Sequence, residues 1–275
     1  MHDAQHAEDS FPDAWLPSLH RNYCLNLSVA FLCFWLFFET LTDGIDSVIW
    51  FDNADIKLYV YWDIVSLMQI ITGVVKPMAT LIITRRLYLI TNLRSVGPPT
   101  KAAQQRRRNL AIEWTLGLGI PLLVAGPFYY IVQELRFAVE EGFGCLNASD
   151  GSVLNILLIQ SWSVLPPLAS ITFHYFHVAR SFYLHNREVN HFLQSNNSVS
   201  RTNYFRILAV ASIDILLTLP IGIATIVLAV KENISFGTLP FYFGWTADHT
   251  DWQPESVTYA EIVADGPFNV AEFYF

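Results

Sequence analysis

Five long apolar stretches alternate with polar segments along the chain, and each is long enough to cross a membrane. A transmembrane helix needs about 20 mostly apolar residues, whereas helices of soluble proteins typically run about 8–20 residues. The pattern therefore predicts an all-α integral membrane helical bundle of five spans. The predicted spans are residues 25–50, 61–83, 110–133, 153–179 and 207–230. A polar segment, 1–24, precedes this bundle (25–230), and an extracellular segment, 231–275, follows it.

The composition agrees with a membrane protein. Of the 275 residues, 53% are hydrophobic and only 15% are charged, against about 25% charged residues in soluble domains. The net charge of −8 argues against a nucleic-acid partner, because nucleic acids are bound by basic surfaces. We therefore expect the bundle to lie in a lipid bilayer.

The loops alternate in charge, and this alternation predicts the orientation of the spans. Segments 84–108 and 180–206 are basic, whereas segment 134–152 is acidic. Basic loops remain on the cytoplasmic side of a membrane, so the acidic segment is predicted to lie outside. The outer segments contain two acceptor sequons for N-glycosylation, at Asn147 and Asn233.

Three acids occupy the outer half of the first span. Glu39, Asp43 and Asp46 are four and three residues apart, which places them on one face of a helix. Ionisable groups inside a membrane normally face a bundle interior or a wet cavity. The three acids either line an outward-opening cavity or mark an unwound, solvated helix end, and the sequence leaves both alternatives open.

Other ionisable groups inside the spans need partners. At about 1.5 Å per residue, Lys76 lies ~22 Å and Glu39 ~16 Å below the outer ends of their spans, which predicts a Glu39–Lys76 ion pair. Asp214 lies ~10 Å above the inner end of the last span, at a height similar to that of His174. An Asp214–His174 contact would satisfy both groups, and the alternative is that Asp214 meets water from the cytoplasmic side.

Motifs of catalytic and cofactor-binding sites are absent from the sequence. The chain has no GxSxG, HExxH, P-loop or GxGxxG motif, and GLGIP at 117–121 lies inside an apolar span. His174 and His177 are three residues apart, but no nearby acid or cysteine completes a set of metal ligands. We therefore predict that the protein is not an enzyme and binds no cofactor or metal.

Segments from about Leu16 to about Ile262 carry a family resemblance. Four of them are IITRRLYLI (82–90), RRRNLAIEWTLGLGIPLL (106–123), YYIVQELRF (129–137) and SNNSVSRTNYFRILAVASIDILLTLP (195–220). They resemble the Ste3-type fungal pheromone receptors, which are G-protein-coupled receptors with seven membrane helices. By this resemblance the five spans are the family's second to sixth helices.

The resemblance implies a secreted, prenylated peptide pheromone as the ligand, a heterotrimeric G protein as the inner partner, and a multi-pass location in the plasma membrane. The acidic, aromatic outer surface fits a basic or amphipathic peptide. The candidate ligand contacts are Asp43, Asp46, Trp50, Asp52, Asn53, Trp62, Gln133, Arg136, Trp245 and Trp252. The candidate residues facing the G protein are Arg85, Arg86, Arg106, Arg107, Arg108, Arg180, Arg187, Arg201 and Arg206.

The buried polar groups acquire a role from the same resemblance. Asp214 would lie near the inner end of the sixth helix, which in receptors generally moves on activation. A polar contact there, together with His174, Glu39 and Lys76, would hold a closed state and act as a switch. The alternative, that these contacts only stabilise the packing, stays open.

Three departures from the family pattern affect this interpretation. The first helix is not found, because residues 1–15 are polar, and residues 263–275 are too short and too acidic for the seventh. The chain is therefore expected to be a truncated receptor that does not signal alone. The family usually has a cysteine before the Asp of the third helix, where Trp62 stands here, so Cys145 loses its expected disulfide partner.

Two other classes of protein remain as alternatives. A non-signalling membrane partner, or a relic, would lack G-protein coupling. An ion or solute transporter would use the intramembrane charges as a route, although the paired repeats and broken helices that are typical of transporters are not found in the sequence.

Overall fold

A computed structural model describes residues 16–92, 99–142, 144–177, 180, 201–235, 237, 239–250 and 252–264. Two long helices come first, α1 (Leu16–Ile49) and α2 (Tyr59–Asn92). Helix α1 begins nine residues before the predicted span, because the residues from Leu16 onward are also helical. The second continues nine residues beyond its predicted inner end and contains Pro77 without interruption.

The third span is a composite of α- and π-helical turns. Helix α3 (Pro99–Trp114) continues through a π-helical segment (Thr115–Gly119), α4 (Ile120–Leu123), a second π-helical segment (Val124–Phe128) and α5 (Tyr129–Ile131). Proline removes a backbone donor and crowds the preceding turn. The second π-helical segment contains Pro127, and Pro121 lies two residues after the end of the first.

The fourth span bends at its centre. It comprises α6 (Val153–Leu158), a 3₁₀ turn (Gln160–Ser163), α7 (Leu165–Ala169) and a π-helical segment (Ser170–Tyr175). The two halves meet at 50°, immediately before Pro166 and Pro167. Ser152 begins the span as an N-cap, and its hydroxyl accepts a hydrogen bond from the Asn155 backbone N–H at 3.1 Å.

The last span is α8 (Arg201–Ser235), and the outer segment after it contains α9 (Trp245–Thr250) and α10 (Tyr259–Ala264). A small sheet covers the outer end of the bundle in the order β2-β1-β3. Its strands are β1 (Ala138–Glu140), β2 (Gly144–Leu146) and β3 (Glu255–Val257), with β1 antiparallel to β2 and parallel to β3. The sequence analysis predicted no strand here.

By length and composition, three helices of the described chain can cross a membrane, and a fourth is added if the bent pair forms one span. They are 59–89, 104–131, 208–231 and the pair 153–163 with 165–173. These four correspond to the second to fifth predicted spans and confirm a membrane helical fold. The first predicted span lies within α1, and its crossing of the membrane stays a prediction.

Helix α2 is the centre of the bundle. It contacts α1, α7, α8 and the π-helical segments of the third and fourth spans. Of its most apolar stretch, 61% is buried, compared with 11% for α8. The main core packs Val74, Val75 and Met78 of α2 against Val124 and Tyr129 of the third span.

The predicted basic loop 84–108 is largely helical in the structure, which corrects its assignment as a loop. Arg85 and Arg86 belong to the last turns of α2, and Arg106, Arg107 and Arg108 belong to α3. The pattern of apolar residues ends before these arginines, but the helices continue into the polar region.

Candidate functional site

A row of polar residues along α2 connects three neighbouring segments of the bundle. Thr72, Lys76, Thr80 and Thr84 follow one another at intervals of four residues. Each step of four residues turns about 40° around the helix axis, so the row winds from one neighbour to the next. Thr72 and Lys76 contact α1, Thr80 contacts α8, and Thr84 contacts the π-helical segment 170–175.

The predicted Glu39–Lys76 ion pair is confirmed. Lys76 Nζ lies 2.7 Å from Glu39 Oε1, and the Thr72 hydroxyl donates to the same oxygen at 3.1 Å. The Glu39 side chain is 18% exposed, whereas that of Lys76 is 42% exposed. The pair therefore joins α1 to α2 at the edge of the core.

Asp214 contacts Thr80 of α2, and its predicted contact with His174 stays a prediction. Its Oδ2 accepts a hydrogen bond from the Thr80 hydroxyl, and Thr218 donates to its backbone carbonyl at 2.8 Å. The side chain of His174 lies outside the described residues. The contact joins α8 to α2, and a role for these groups as a switch stays a proposal.

The three acids of α1 occupy three different environments. The helix is intact through Ile49, so the interpretation as an unwound helix end is wrong. Asp43 is exposed, whereas Asp46 is buried and accepts a hydrogen bond from the Tyr61 hydroxyl at 2.8 Å. Strand β2 lies directly over Asp46, because a Cβ added to Gly144 would lie 2.6 Å from Asp46 Cβ.

Two of the predicted ligand contacts, Trp50 and Trp62, form a second core below the sheet. Both are 0% exposed and their ring centroids are 4.0 Å apart. Trp50 Nε1 donates to the Asp55 carbonyl at 2.8 Å. Full burial of these two rings and of Asp46 contradicts direct ligand contact in this conformation, so they support the outer surface from below.

Cys145 belongs to this second core beside Trp62. Its thiol is free and buried. Burial raises the pKa of the Cys145 thiol, and the nearby charges of Asp46 and Asp63 raise it further. Trp62, which stands where the family usually has a cysteine, thus packs beside Cys145.

The remaining polar candidates of the outer end surround an ion pair. Arg136 donates through Nε and Nη2 to the two oxygens of Asp63, at 2.9 and 2.6 Å. Its guanidinium also lies 5.5 Å from the ring centroid of Tyr59. Gln133 is 7% exposed and donates to the Arg136 carbonyl at 2.8 Å, which holds this turn in place.

Asp52 and Asn53 lie in the turn after α1. The Asn53 amide donates to the Ile49 carbonyl at 3.1 Å and to the Asp52 carboxylate at 3.2 Å. Asp52 is exposed and Asn53 is half-buried. These two candidates belong to the accessible part of the outer rim.

An aromatic patch, defined here as Tyr130, Trp245, His249 and Trp252, joins the third span to the outer C-terminal segment. The Trp245 ring stacks on His249 at 4.1 Å between centroids, and both rings pack edgewise against Tyr130. The His249 Nε2 atom lies 3.1 Å from the Tyr130 carbonyl. Trp245 is 50% exposed and Tyr130 is 46% exposed, so the patch has accessible aromatic surface.

Two buried carboxylates, Asp150 and Asp248, belong to the same outer region. Burial raises the pKa of Asp150 to about 6, and the charges of Asp248 and Glu134 add to this effect, although hydrogen bonds from Ser152 oppose it. Burial also raises the pKa of Asp248, and the nearby His249 opposes this rise. The Oδ2 atom of each carboxylate is buried without a hydrogen-bond partner among the described residues.

At the opposite end of α2, Arg86 forms a buried ion pair with Glu113 of α3. Its Nε donates to Glu113 Oε1 at 2.6 Å, and its Nη2 contacts Oε2. The side chains are 11% and 7% exposed. Arg86 is therefore not an accessible inner residue, which corrects the prediction that it faces a partner.

The other inner candidates differ in exposure. Arg85 is half-buried and donates to Asn109 Oδ1 at 2.8 Å. The exposed candidates are Arg106, Arg107, Arg108, Arg180 and Arg206. Arg187 and the side chain of Arg201 lie outside the described residues.

The two asparagines predicted to carry glycans are half-buried. The Asn147 side chain lies 3.5 Å from Gln69 Oε1, and its backbone N–H donates to the same atom at 3.1 Å. The Asn233 side chain donates to the Ala229 carbonyl at 2.8 Å and packs against Gly151. Glycosylation at both positions stays a prediction.

Several residues of these sites were missed from the sequence. Tyr61, Thr80 and Tyr130 lie in apolar runs, where a hydroxyl-bearing side chain does not interrupt the pattern. Glu113 is the only acid of the predicted span 110–133, but its spacing gives no indication of its partner. The spacing of Thr72, Lys76, Thr80 and Thr84 was the signal that could have identified the polar row.

The chain is similar to known proteins over most of its length. The sequence model of the Ste3 family, described as pheromone A receptor, matches residues 14–271. The chain is 30% identical over 210 residues to the pheromone B alpha 1 receptor of Schizophyllum commune, covering 76% of the chain and 32% of that relative. It is 27% identical over 228 residues to pheromone receptor 1 of Mycosarcoma maydis, covering 82% of the chain and 61% of that relative.

The chain spans about a third of the length of the first of these relatives and less than two thirds of the second. No solved structure matches the chain significantly. The family model nevertheless covers nearly all of the described residues, including the polar row and both ends of the bundle. The chain belongs to the Ste3 family of pheromone receptors.

Proposed function

We propose that this protein binds a prenylated peptide pheromone at its outer end and activates a heterotrimeric G protein at its inner end, in the plasma membrane. The observation that carries the proposal is the exposed aromatic patch next to the buried carboxylates Asp150 and Asp248. Aromatic rings bind apolar groups and also stack on cations, which suits a peptide with a lipid tail and basic side chains.

Backbone hydrogen bonds connect the patch to the transmembrane helices. The backbone N–H groups of Val153 and Leu154 donate to the carbonyls of Pro240 and Phe241, each at 3.0 Å. Tyr242 donates through its hydroxyl to the Ile131 carbonyl at 3.3 Å. A ligand that moves this segment would therefore pull on the outer ends of the third and fourth spans.

The polar row of α2 supports transmission to the inner end. Its contacts with Glu39, Asp214 and Ser170 join three segments to one central helix. A movement of α2 changes all three contacts together, and only 11% of the most apolar stretch of α8 is buried. The exposed inner arginines would then meet the G protein.

Ligand binding is tested with membranes from cells that express the full chain and with fluorescent farnesylated peptides. We expect Trp245→Ala to weaken binding by about tenfold, since an aromatic contact is worth ~1 kcal/mol or more. Phe173→Ala is the matched control, because Phe173 is an exposed aromatic residue in the inner half of the fourth span. Equal binding by the wild type and by Trp245→Ala would contradict the proposed site.

Coupling is tested separately by nucleotide exchange on a purified G protein. Peptide-dependent exchange supports the receptor function. Binding without exchange would instead favour the alternative of a non-signalling partner or relic. Peptide-dependent ion flux in vesicles would favour the transporter alternative, in which Glu39 and Asp214 would have to release their partners Lys76 and Thr80.

A further inference from the structure

The inner ends of α2 and α3 carry an excess of positive charge. Between residues 64 and 133 the chain has a single acid, Glu113, and that acid is already paired with Arg86. The arginines around it are Arg85, Arg86, Arg106, Arg107 and Arg108. Within the described parts of α2 and α3, guanidinium groups therefore outnumber carboxylates.

Arg85 lies at the centre of this imbalance. Among the described residues, the charges of Arg108 and Arg86 repel it and the charge of Glu113 attracts it. Its one described hydrogen bond goes to the neutral Asn109 side chain. The Nη1 atoms of Arg85 and Arg86 are buried and have no hydrogen-bond partner in the described part of the chain, although an unpaired buried donor is costly.

The geometry of α3 distinguishes the arginines from one another. Asn109 and Glu113 face α2, since they bond to Arg85 and Arg86. Arg107, two residues from Asn109, lies on the opposite side of α3, about 160° away. Arg108 lies close enough to repel Arg85 and is exposed. Arg85 and Arg108 can thus act on one ligand, whereas Arg107 points elsewhere.

We propose that Arg85 and Arg108 bind the phosphate group of an anionic phospholipid in the cytoplasmic leaflet, with Arg86 held beside them by Glu113. Guanidinium groups bind phosphate oxygens through pairs of parallel N–H donors, and each basic residue near an anionic leaflet contributes about 1 kcal/mol. The phosphate contacts the exposed part of the half-buried Arg85 side chain and reduces the repulsion between the arginines.

The position of the arginines favours a lipid over an acidic protein segment. The candidate membrane span of α2 ends at Leu89, and the one that starts in α3 begins at Gln104 with the polar residues 104–108. Both ligating arginines lie within these limits, at the boundary where the headgroups of the inner leaflet meet the helices. A protein in the cytoplasm would more readily reach Arg180 and Arg206, which are also exposed.

The test uses the purified full chain in a neutral detergent with short-chain lipids. The probes are dioctanoyl phosphatidylinositol bisphosphate, dioctanoyl phosphatidylserine, dioctanoyl phosphatidylcholine and inorganic phosphate, and binding is measured by the rise in unfolding temperature with concentration. We expect both anionic lipids to stabilise the protein, and phosphatidylcholine and inorganic phosphate to have much smaller effects.

The double variant Arg85→Gln with Arg108→Gln is expected to weaken binding of the anionic lipids by about tenfold or more, since two contacts of ~1 kcal/mol are lost. Arg107→Gln is the matched control and should change the affinity by less than about twofold, because its charge is exposed and screened. Arg85→Lys retains the charge and checks that losses do not reflect misfolding.

Four outcomes would overturn the proposal. The first is an equal loss of lipid affinity in Arg107→Gln and in the double variant, and the second is equal stabilisation by phosphatidylcholine. The third is that inorganic phosphate stabilises the protein as well as the anionic lipids do. The fourth is that the anionic lipids do not bind, whereas an acidic peptide of the G protein binds the wild type and not the double variant. The third outcome would indicate a site for free phosphate, and the last would indicate a protein-binding surface. None of these measurements depends on pheromone binding, so the proposal fails or stands independently of the receptor function.

Discussion

The two ends of the bundle contain buried charges, but each end stabilises them differently. At the inner end, Arg86 and Glu113 neutralise each other in a buried ion pair. At the outer end, Asp150 and Asp248 are buried with raised pKa values, and the outer ion pair, Arg136 with Asp63, is partly exposed. The inner end therefore depends on a counterion, whereas the outer end depends on protonation and is sensitive to pH.

The largest effect is expected from breaking the inner ion pair. Glu113→Ala leaves Arg86 buried without its partner, which should lower the free energy of unfolding by about 3–5 kcal/mol. The double variant Arg86→Met with Glu113→Leu should recover most of this loss, because no unpaired charge remains. Unfolding by detergent titration measures both, and a loss below ~1 kcal/mol in Glu113→Ala would show that solvent or lipid already neutralises the arginine.

A steric change tests the enclosure of the outer acids. Gly144 has φ +89° and lies against Asp46, whereas Gly142 has the same φ but no atom within 4 Å of an added Cβ. Gly144→Ala should therefore cost about 3 kcal/mol, from backbone strain and overpacking. Gly142→Ala should cost only about 1–2 kcal/mol, and equal losses in the two variants would contradict the close contact with Asp46.

The pH dependence of the outer end is the next largest effect. The folded protein holds the proton of Asp150 up to about pH 6, so the free energy of unfolding should fall by about 2 kcal/mol as the pH rises from 4 to 7. Asp248 contributes in the same direction, since its pKa is also raised. Asp150→Asn should flatten this part of the profile, while Asp52→Asn, at an exposed position, should leave it unchanged.

The pair in the middle of the bundle should have a smaller effect. Lys76→Met leaves Glu39 with the Thr72 hydrogen bond, so the expected loss is about 1 kcal/mol after allowing for the exposure of Lys76. Lys76→Arg preserves the charge and should lose less. A loss of unfolding free energy as large as that of Glu113→Ala would mean that the Thr72 hydrogen bond does not stabilise the charge of Glu39.

The smallest effect is expected at the outer ion pair. Arg136→Gln removes a partly exposed contact with Asp63, which should cost about 0.5–1 kcal/mol at low salt and less at high salt. Titrating salt during the same unfolding measurement separates this pair from the inner one, whose stability should change little. A salt-independent loss would indicate that the Asp63–Arg136 pair is enclosed in solution.

The fold class and one internal contact could be predicted from the sequence. Apolar runs of membrane length predicted the spans, and counting the rise per residue predicted the Glu39–Lys76 pair. Height alone, however, does not give the rotation of each helix. For this reason the contact between Asp214 and Thr80 was not predicted.

The outer sheet could not be predicted for a different reason. Its strands are only three residues long, and β1 pairs in parallel with a segment more than 110 residues later. Such pairing depends on packing against the second core around Trp50 and Trp62, not on local periodicity. The sequence also did not predict that these tryptophans are buried, because aromatic residues near a span end also occur at exposed membrane interfaces.

The two π-helical segments of the third span set the direction in which Tyr130 points. A π-helical turn holds one more residue than an α-helical turn, so each one offsets the residues beyond it by about 100°. Tyr130 lies beyond both segments. Removal of one residue beside Gly119 would therefore rotate Tyr130 around the helix axis and separate its ring from Trp245 and His249.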